Sequence, residues 1–350
     1  MTQRVFDGHN DVLCRIWLNS RQGGSPVEDF AGNGRTGHVD AVRAKAGGLV
    51  GGICAIYVPS PRLGRPVSDA NGYYNTPKAE PLEHGPALAA TQEMLDIARD
   101  LDEAGVWSIC RSTADIKAAA EQGLFAAIVH IEGCEGISAG LEELDGFYEQ
   151  GLRSLGPVWS RDNVFAHGVP FAFPMSPDTG EGLTSAGFDL VRRCDELGIL
   201  VDLAHITEKG FWDVAKTSSR PLVASHSNAH ALTPVARNLT DGQLQAIRET
   251  SGLVGVNFAT SMLRADGQNN SNTPLSDIVR HVDYLVEKAG IDCVGLGSDF
   301  DGALIPREIG DAAGLPKLVF ALRGAGYDDE ELEKLCFGNW MRVLDSVLSN

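Results

Sequence analysis

Short apolar runs alternate with longer amphipathic segments along most of the chain. Eight such runs occur, and several of them are almost wholly apolar, as strands buried on both faces of a parallel sheet should be. The eight runs are Val5–His9, Val50–Val58, Phe125–Ile131, Leu152–Val158, Ile199–Leu203, Pro221–Ala224, Gly252–Phe258 and Cys293–Gly297. The alternation predicts repeated βα units and a parallel sheet.

The segments between these runs carry apolar residues at helical spacing. The predicted helices are Pro86–Ala104, Asp115–Gln122, Thr184–Leu197, the segment that follows Thr240, Leu275–Ala289 and Asp328–Leu348. Thr240 and Gln243 are spaced as a capping box, which marks a helix N-terminus. Gly198 and Gly290 directly follow two of the segments and predict their C-terminal ends.

Eight strands with interleaved helices favour an α/β fold of the (β/α)8 TIM barrel type, with extended loops at the strand ends. A doubly wound open sheet is the alternative for the same alternation. Asn19–His38 and Pro59–Gly85 interrupt the pattern and are rich in Gly, Pro, Ser and Asn, but neither begins a new core pattern. We therefore expect a single domain over residues 1–350, in which these segments are long loops of the kind that is often functional.

The chain has 350 residues, a formal net charge of −18 and seven cysteines. Nucleic acid is not an expected partner, because phosphate binding needs a basic face. The cysteines are scattered and form no C-x-x-C pair, which favours reduced thiols in a cytoplasmic protein. The N-terminus lacks a charged and then apolar leader, and no apolar run is long enough to cross a membrane. We therefore do not expect a membrane partner.

Histidines and carboxylates stand where several predicted strands end. The residues at these positions are His9, Asp11, Glu132, His205, His226 and Asp299. In a strand, residues i and i+2 point to the same side, so His9 and Asp11 can face one point in space. Barrel enzymes build their active sites at the C-terminal ends of the strands. We expect these side chains to converge at one mouth of the barrel.

Converging imidazole and carboxylate groups are typical of a metal centre, because both are good zinc ligands. A single histidine at a strand end, such as His205 or His226, is more often a core residue that is hydrogen-bonded to the backbone. Several ligand-type residues at strand ends together favour a metal site. Two divalent cations about 3.5–4 Å apart promote amide hydrolysis, and such a pair needs an anionic bridge and further ligands around it.

Six short motifs span nearly the whole chain. They are His9-Asn10-Asp11, Ile131-Glu132-Gly133, Val201-Asp202-Leu203-Ala204-His205-Ile206, Ser225-His226-Ser227, Arg237-Asn238 and Gly297-Ser298-Asp299-Phe300-Asp301-Gly302. In this order the motifs resemble those of the membrane (renal) dipeptidase family, a branch of the amidohydrolase superfamily with a binuclear zinc site.

The resemblance implies a centre that holds two Zn²⁺ ions. His9 and Asp11 would bind one ion, and His205 and His226 would bind the other. Glu132 would bridge both ions, together with a water or hydroxide. Many relatives use a carboxylated lysine at the bridge, whereas this family uses a glutamate, and Glu132 fits that pattern.

The resemblance also implies roles for residues around the ions. Asp299 would take a proton from the bridging water and pass it to the leaving amine. Asp301 is the less favoured candidate for this role, because it opens an Asp-Gly turn. Arg237 would bind the terminal carboxylate of the substrate bidentately. Tyr57 resembles a family position that contacts the same carboxylate.

One position departs from the family pattern. After the fourth strand the family has a histidine that polarises the scissile carbonyl, and alignment of Arg153-Ser154-Leu155 places Trp159 there. An indole NH can donate a hydrogen bond but carries no charge. His167, in the loop that follows, is a second candidate for the role. If neither residue acts, the second zinc would have to polarise the carbonyl alone.

These implications together describe a metallodipeptidase that hydrolyses dipeptides with free amino and carboxyl termini, including L-Xaa-D-Xaa dipeptides. Its partner would be a small dipeptide substrate, and a homodimer is one expectation because family members form dimers. Two alternatives stay open at this point. The first is a binuclear metal hydrolase of cyclic amides or N-acyl amino acids. The second is a metal-binding barrel without catalysis, for which Trp159 is the support.

Overall fold

A computed structural model describes residues 3–33, 36–61 and 67–348 of the chain. Eight strands fall on the eight predicted runs. Their bounds are β1 Val5–Asn10, β2 Leu49–Tyr57, β3 Phe125–Glu132, β4 Leu152–Gly156, β5 Leu200–Val201, β6 Val223–Ala224, β7 Leu253–Val256 and β8 Val294–Leu296. Neighbouring strands run parallel, as buried βα units require.

The eight strands close into a barrel. β1 to β5 are hydrogen-bonded in chain order, and so are β6 to β8. A parallel bridge between Asp202 and Val223 joins β5 to β6, and another between Asn10 and Phe300 joins the end of β8 to β1. We call these two junctions the β5–β6 seam and the β8–β1 seam. The predicted (β/α)8 barrel is confirmed, and the open-sheet alternative is wrong.

Helices surround the barrel and extend its strand-end loops. The α-helices are Val12–Ser20, Pro26–Glu28, Ala41–Gly47, His84–Glu103, Thr113–Gln122, Leu144–Glu149, Ser185–Leu197, Glu208–Thr217, Asp241–Glu249, Thr260–Leu263, Leu275–Ala289, Leu315–Gly324, Asp329–Glu333 and Asn339–Leu348. Short 3₁₀ or π turns lie at Asp29–Asn33, Ile291–Cys293, Ala312–Gly314 and Lys334–Gly338. The predicted capping box of Thr240 and Gln243 is confirmed.

The predicted helix over Asp328–Leu348 is present, but it contains a π turn. The observed segments are the helix Asp329–Glu333, the π turn Lys334–Gly338 and the helix Asn339–Leu348. Phe337, in the π turn, and Trp340, in the helix that follows, both lie in the same buried cluster. The apolar spacing of this segment does not indicate the π turn.

Side chains along β3 show how the barrel interior is layered. Ala126 and Ile128, near the start of the strand, belong to an apolar cluster inside the barrel. His130 and Glu132 follow on the same side at two-residue spacing, and both are buried. The barrel interior is therefore apolar where β3 begins and polar where it ends.

The helix Asn339–Leu348 closes the apolar end of the barrel. The indole of Trp340 is fully buried, and its Nε1 donates to the carbonyl of Leu296 at 2.8 Å. A Cβ atom at Gly8 would lie 2.1 Å from the Trp340 ring. The glycine that precedes His9 is thus required by packing against this closing helix.

Two short strand pairings lie outside the eight predicted runs. Tyr74–Thr76, in the segment Pro59–Gly85, pairs antiparallel with Phe171–Phe173. Trp107–Ile109 pairs with the start of β3. Three-residue strands with distant partners carry too few residues to show a periodicity, so the pattern could not reveal them. Residues 62–66 of the same loop segment lie outside the described residues.

All seven cysteines are buried and free, as the scattered spacing suggested. Among the residues that the structure describes, no helix combines the length and the apolar character that a membrane span would need.

Candidate active site

A cavity of about 690 Å³ opens at the C-terminal ends of the strands, a size typical of pockets for small ligands. The polar residues that line it include Asp11, Glu132, His205, His226, Arg237 and Asp299. His9 is fully buried beside them. The convergence of strand-end residues that the sequence predicted is therefore present.

Glu132 lies at the centre of this polar cluster. Its Oε1 atom is 2.9 Å from His205 Nε2, 3.4 Å from His226 Nε2 and 3.6 Å from His9 Nε2. The four residues come from β3, β1 and the segments after β5 and β6, so closure of the barrel is what brings them together. A carboxylate oxygen that faces three imidazole nitrogens is suited to bridge two cations.

His9 is fully buried beside Asp11 and His226. Its Nε2 atom lies 3.6 Å from Asp11 Oδ2, and its ring stacks on that of His226 with centroids 3.8 Å apart. Neither ring nitrogen has a hydrogen-bond partner among the residues that the structure describes. Buried polar atoms without partners are rare in native proteins, and an ion beside His9 would supply one.

Serine hydroxyls orient the other two imidazoles. Ser160 Oγ lies 2.9 Å from His205 Nδ1, and Ser225 Oγ lies 2.8 Å from His226 Nδ1. The Nε2 atoms of both histidines point towards Glu132 and are 3.1 Å from each other. Burial lowers the pKa of both histidines well below its usual value, so both rings are neutral. Neutral imidazoles with free Nε2 lone pairs are the form that binds metals.

The carboxylates make the cluster strongly negative. Burial raises the pKa of Glu132 to about 8; His9 lowers it, whereas Asp11 and Asp299 raise it. Burial lowers the pKa of His9, but Glu132 and Asp11 outweigh burial and raise it to about 10. The charges of the protein therefore attract a proton to His9 and Glu132. A cation bound at the same place would neutralise the carboxylates instead.

The donor set fits a metal centre. Potential ligand atoms of His9, Glu132 and His226 lie within 4.8 Å of one another, and so do those of His9, Asp11 and Asp299. Imidazole nitrogen and carboxylate oxygen are borderline-to-hard donors that suit zinc and other first-row divalent ions. The two groups overlap at His9, so these potential ligands form one continuous cluster.

Asp299 follows β8 and lines the cavity beside this cluster. Asn257 Nδ2 donates to its Oδ2 at 2.9 Å. Burial and the neighbouring charge of Asp11 raise the pKa of the Asp299 carboxyl, although His9 lowers it. A carboxyl group with a raised pKa can both accept and return a proton near neutral pH.

Asp301, the less favoured candidate for the same role, is occupied by structural contacts. Its carboxylate accepts from Arg15 Nε at 3.1 Å and also from the backbone NH of His38. Its own backbone NH donates to His38 Nδ1 at 2.9 Å. These contacts tie the loop that follows helix Val12–Ser20 to the barrel, which agrees with the choice of Asp299 for proton transfer.

Arg237 and Tyr57 both line the cavity. Arg237 Nη2 lies 3.1 Å from His205 Nε2 and donates to the carbonyl of His226 at 3.3 Å. Its Nη1 is buried and has no hydrogen-bond partner among the described residues. Burial lowers the pKa of Arg237 to about 10, so the guanidinium stays charged at neutral pH. A charged and partly unsatisfied guanidinium in a cavity wall is suited to bind a carboxylate.

The two candidates for polarising a carbonyl lie in different places. Trp159 lines the cavity, with its ring centroid 5.7 Å from that of His205 and 4.9 Å from that of Tyr57. His167 does not line the cavity; its Nδ1 atom lies 3.2 Å from Asp162 Oδ2. The structure therefore brings Trp159 to the site and leaves His167 outside it, paired with Asp162.

Asn257 is a site residue that the sequence analysis does not single out. It directly follows β7, as Asp202 follows β5 and Ser225 follows β6. An amide is not a typical metal ligand or acid–base group, so a search for ligand-type residues passes over it. Its place near the end of the predicted run Gly252–Phe258 is a signal that could have identified it.

Comparison with protein families and curated sequences finds relatives over most of the chain. The sequence model of the membrane dipeptidase family, Peptidase family M19, matches residues 1–350. An uncharacterised protein in the pqqA 5′ region of Klebsiella pneumoniae is 52% identical over 70% of this chain and 90% of its own length. An uncharacterised protein in the PQQ-III 3′ region of Acinetobacter calcoaceticus is 41% identical over 81% of this chain and 89% of its own length.

Solved structures are similar over the same extent. The metallopeptidase dipeptidase AC of family M19 is 46% identical, with a TM-score of 0.94 and all of both chains covered. A metallopeptidase from Rhodobacter sphaeroides, bound to a phosphinate mimic of the dipeptide L-Ala-D-Ala, is 45% identical, with a TM-score of 0.93 over 99% of this chain and 100% of its own. The probable dipeptidase PvdM of Pseudomonas aeruginosa, at 24% identity and a TM-score of 0.80, shares the fold.

Proposed function

The chain belongs to the membrane dipeptidase family and is a metallodipeptidase, and we propose that it uses two zinc ions to hydrolyse dipeptides with free termini, including L-Xaa-D-Xaa dipeptides. The L-Ala-D-Ala mimic in the related Rhodobacter sphaeroides enzyme supports this substrate class.

The observation that carries the proposal is the position of Glu132 Oε1 within 3.6 Å of three imidazole nitrogens. In our assignment His9 and Asp11 hold one ion, His205 and His226 hold the other, and Glu132 is shared. Bound there, two divalent ions would polarise the scissile carbonyl and supply a nucleophile at neutral pH.

Proton transfer falls to Asp299 in this proposal. The hydrogen bond from Asn257 Nδ2 occupies its Oδ2 atom, which leaves Oδ1 for the proton in transit. Burial raises the pKa of Asp299, which makes its carboxylate a better base towards the attacking water. The carboxylic acid so formed is still a stronger acid than a protonated amine and can return the proton to the leaving group. One carboxyl group can then act first as base and then as acid.

The two ends of the substrate are distinguished by charge. The guanidinium of Arg237 attracts the terminal carboxylate, and its unpartnered Nη1 can complete a bidentate contact. The carboxylates of the cluster favour a protonated amine at the other end. A molecule with both charges is therefore preferred over an N-acyl amino acid, which lacks the amine.

Around the charged groups of Arg237 and the carboxylate cluster, most side chains in the cavity walls are neutral. The residues concerned are Tyr57, Tyr74, Phe171, Val235, Met262 and Leu304. Arg15 also lines the cavity, but its guanidinium is paired with Asp29 and Asp301. Charged side chains of a substrate would be desolvated there without a free partner, so we propose a preference for dipeptides with uncharged side chains.

A panel of dipeptides tests the proposal with the full chain loaded with zinc. We expect turnover of L-Ala-D-Ala and L-Ala-D-Phe, and kcat/KM at least about tenfold lower for L-Ala-D-Glu, the cost of one unpaired buried charge being more than 1 kcal/mol. Absence of turnover across mixed L,L and L,D dipeptides would refute the dipeptidase proposal.

The same panel decides the two alternatives. If an N-acetyl dipeptide with a C-terminal Phe is cleaved as fast as the free dipeptide, the substrate is an N-acyl compound. Two bound metal ions without any turnover would indicate a barrel that has lost catalysis, and Trp159 would be the first position to examine.

A further inference from the structure

The two seams of the barrel have short backbone pairings. At the β5–β6 seam the bridge is Asp202 to Val223, and at the β8–β1 seam it is Asn10 to Phe300, among the residues that the structure describes. A buried aspartate lies at each seam and reaches across it to a serine of the neighbouring strand end. The two aspartates are Asp202 and Asp7, 3% and 1% exposed.

Asp202 holds Ser225 across the β5–β6 seam. Its Oδ1 accepts from the backbone NH of Ser225 at 2.7 Å, and its Oδ2 accepts from Ser225 Oγ at 2.5 Å. Because the serine hydroxyl proton points to Asp202, the hydroxyl oxygen must accept from His226 Nδ1, which lies 2.8 Å away. The chain of hydrogen bonds therefore places the proton of neutral His226 on Nδ1 and leaves Nε2 free to face Glu132.

Asp7 holds Ser298 across the β8–β1 seam in the same manner. Its Oδ1 accepts from the backbone NH of Ser298 and its Oδ2 from Ser298 Oγ, both at 2.7 Å. Ser298 Oγ in turn accepts from the backbone NH of Phe300 at 3.1 Å. Asp299, which lies between Ser298 and Phe300 in the chain, has a φ of 60°. This left-handed conformation costs free energy for any residue with a Cβ atom. The bonds on both sides of Asp299 hold it in that conformation.

We propose that Asp7 and Asp202 are positioning residues with separate tasks: Asp202 sets the tautomer of His226 through Ser225, and Asp7 fixes the turn that carries Asp299 through Ser298. The proposal rests on the proposed function, because it takes His226 as a metal ligand and Asp299 as the proton carrier. Each serine directly precedes the residue that it positions.

The substitution Asp202→Asn reverses the direction of one hydrogen-bond chain. The remaining carbonyl oxygen is required by the backbone NH groups of Ser225 and Ala204, both of which donate to Oδ1. The new amide NH₂ therefore faces Ser225 Oγ and donates to it, so the serine proton turns to His226 Nδ1. His226 must then carry its own proton on Nε2, where it blocks metal binding.

The substitution Asp7→Asn has a different consequence. In the wild type, Asp7 Oδ2 accepts from Ser298 Oγ and also from Asn10 Nδ2, the latter at 3.1 Å. In the variant, the amide oxygen keeps the bond to the backbone NH of Ser298, but an NH₂ group takes the place of this Oδ2 acceptor. The turn around Asp299 is held less firmly, but no imidazole proton is moved. We therefore expect proton transfer to suffer and metal binding to remain.

The test measures zinc binding, kcat and KM for L-Ala-D-Ala in wild type, Asp202→Asn and Asp7→Asn. We expect Asp202→Asn to bind one of its zinc ions about 10–100-fold more weakly, with kcat restored by added zinc. We expect Asp7→Asn to keep the zinc affinity and the KM of the wild type, with kcat lowered about tenfold and no restoration by zinc. Imidazole ¹⁵N shifts of metal-free protein should place the His226 proton on Nδ1 in wild type and on Nε2 in Asp202→Asn.

Ser225→Ala and Ser298→Ala are milder variants that keep both aspartates and the backbone bonds, and they decide the question if an asparagine variant does not fold. Ser225→Ala should weaken zinc binding, and Ser298→Ala should lower kcat alone. The proposal is overturned if the two asparagine variants, or the two alanine variants, show the same loss of zinc binding and the same loss of kcat as each other. It is also overturned if neither property changes in any of the variants. Failure of the proposed function itself would look different, because the wild type would then lack zinc-dependent turnover.

Discussion

The two halves of the barrel interior are buried alike but built from opposite chemistry. On β3, Ala126 and Ile128 belong to the apolar half that Trp340 closes, whereas His130 and Glu132 belong to the polar half below the cavity. Apolar burial stabilises the fold, whereas burial of charged groups costs free energy unless they are paired. The same strand therefore serves stability at its start and chemistry at its end.

The two halves also differ in whether their buried polar atoms have hydrogen-bond partners. In the apolar half, Trp340 Nε1 donates to the carbonyl of Leu296. In the polar half, both ring nitrogens of His9 and Nη1 of Arg237 lack a partner within the described ranges. These unsatisfied atoms lie where ions and substrate would supply partners for them.

The largest expected effect is loss of activity at the centre of the polar half. Glu132→Gln keeps the shape of the side chain but removes the shared anionic ligand. We expect kcat/KM for L-Ala-D-Ala to fall more than about 10³-fold, beyond the 10–100-fold loss typical of groups that only support a ligand. The melting temperature of the metal-free variant should equal or exceed that of metal-free wild type, because the fold no longer buries this carboxylate. Retained activity would disprove the bridging role.

A substitution in the apolar half should instead lower the stability of the protein and leave its activity nearly unchanged. Trp340→Ala removes a fully buried indole from the closing helix, and we expect a loss of about 3–5 kcal/mol in the free energy of unfolding. Denaturant unfolding of zinc-free protein measures it. The folded fraction should keep a kcat within about twofold of wild type. A selective loss of kcat without loss of stability would mean that the two halves are not independent.

Outside the barrel, His281 is a buried histidine whose contacts are complete. Its Nδ1 accepts from the backbone NH of Ala229 and its Nε2 lies 3.0 Å from the carbonyl of Leu263. Burial lowers its pKa to about 4, although the bond to Leu263 raises it. The unfolded chain thus binds more protons between about pH 6.5 and 4, so this contribution to stability is lost as pH falls through that window.

The comparison of wild type with His281→Gln isolates this contribution. The free energy of unfolding of wild type should fall by up to about 3 kcal/mol more than that of the variant between pH 7 and pH 4. Parallel pH profiles for the two proteins would show that folding leaves the pKa of His281 unchanged.

Arg237→Lys tests the recognition of the substrate carboxylate. Lysine keeps the charge but loses the two-nitrogen contact, so we expect KM for L-Ala-D-Ala to rise about 10–100-fold with a smaller change in kcat. A C-terminal amide of the same dipeptide is the matched control, because it lacks the carboxylate. The variant and wild type should cleave the amide equally poorly; an equal loss on both substrates would place Arg237 elsewhere in the mechanism.

The smallest expected effect concerns the residue that the structure leaves outside the cavity. His167→Gln should change kcat and KM by less than about twofold, since its ring pairs with Asp162 and not with the site. A loss of about 10²-fold or more, the size seen when an oxyanion donor is removed, would mean that His167 moves into the cavity when substrate binds.

Sequence reasoning located the parts of this molecule whose signal is local. The eight strands appear as apolar runs, and His9, Asp11, Glu132, His205 and His226 stand at their ends, where a barrel must gather them. Contacts between distant segments carry no such signal. The pairing of Tyr74–Thr76 with Phe171–Phe173 and the hydrogen bond from Asn257 to Asp299 depend on how the closed barrel places its loops, which no local pattern records.

A stepwise zinc titration of metal-depleted protein tests the central claim most directly, with kcat for L-Ala-D-Ala followed at each addition. Our account predicts negligible turnover without metal and a rise that ends sharply at two zinc ions per chain. Full turnover in the metal-depleted protein, or saturation at a single ion, would contradict it.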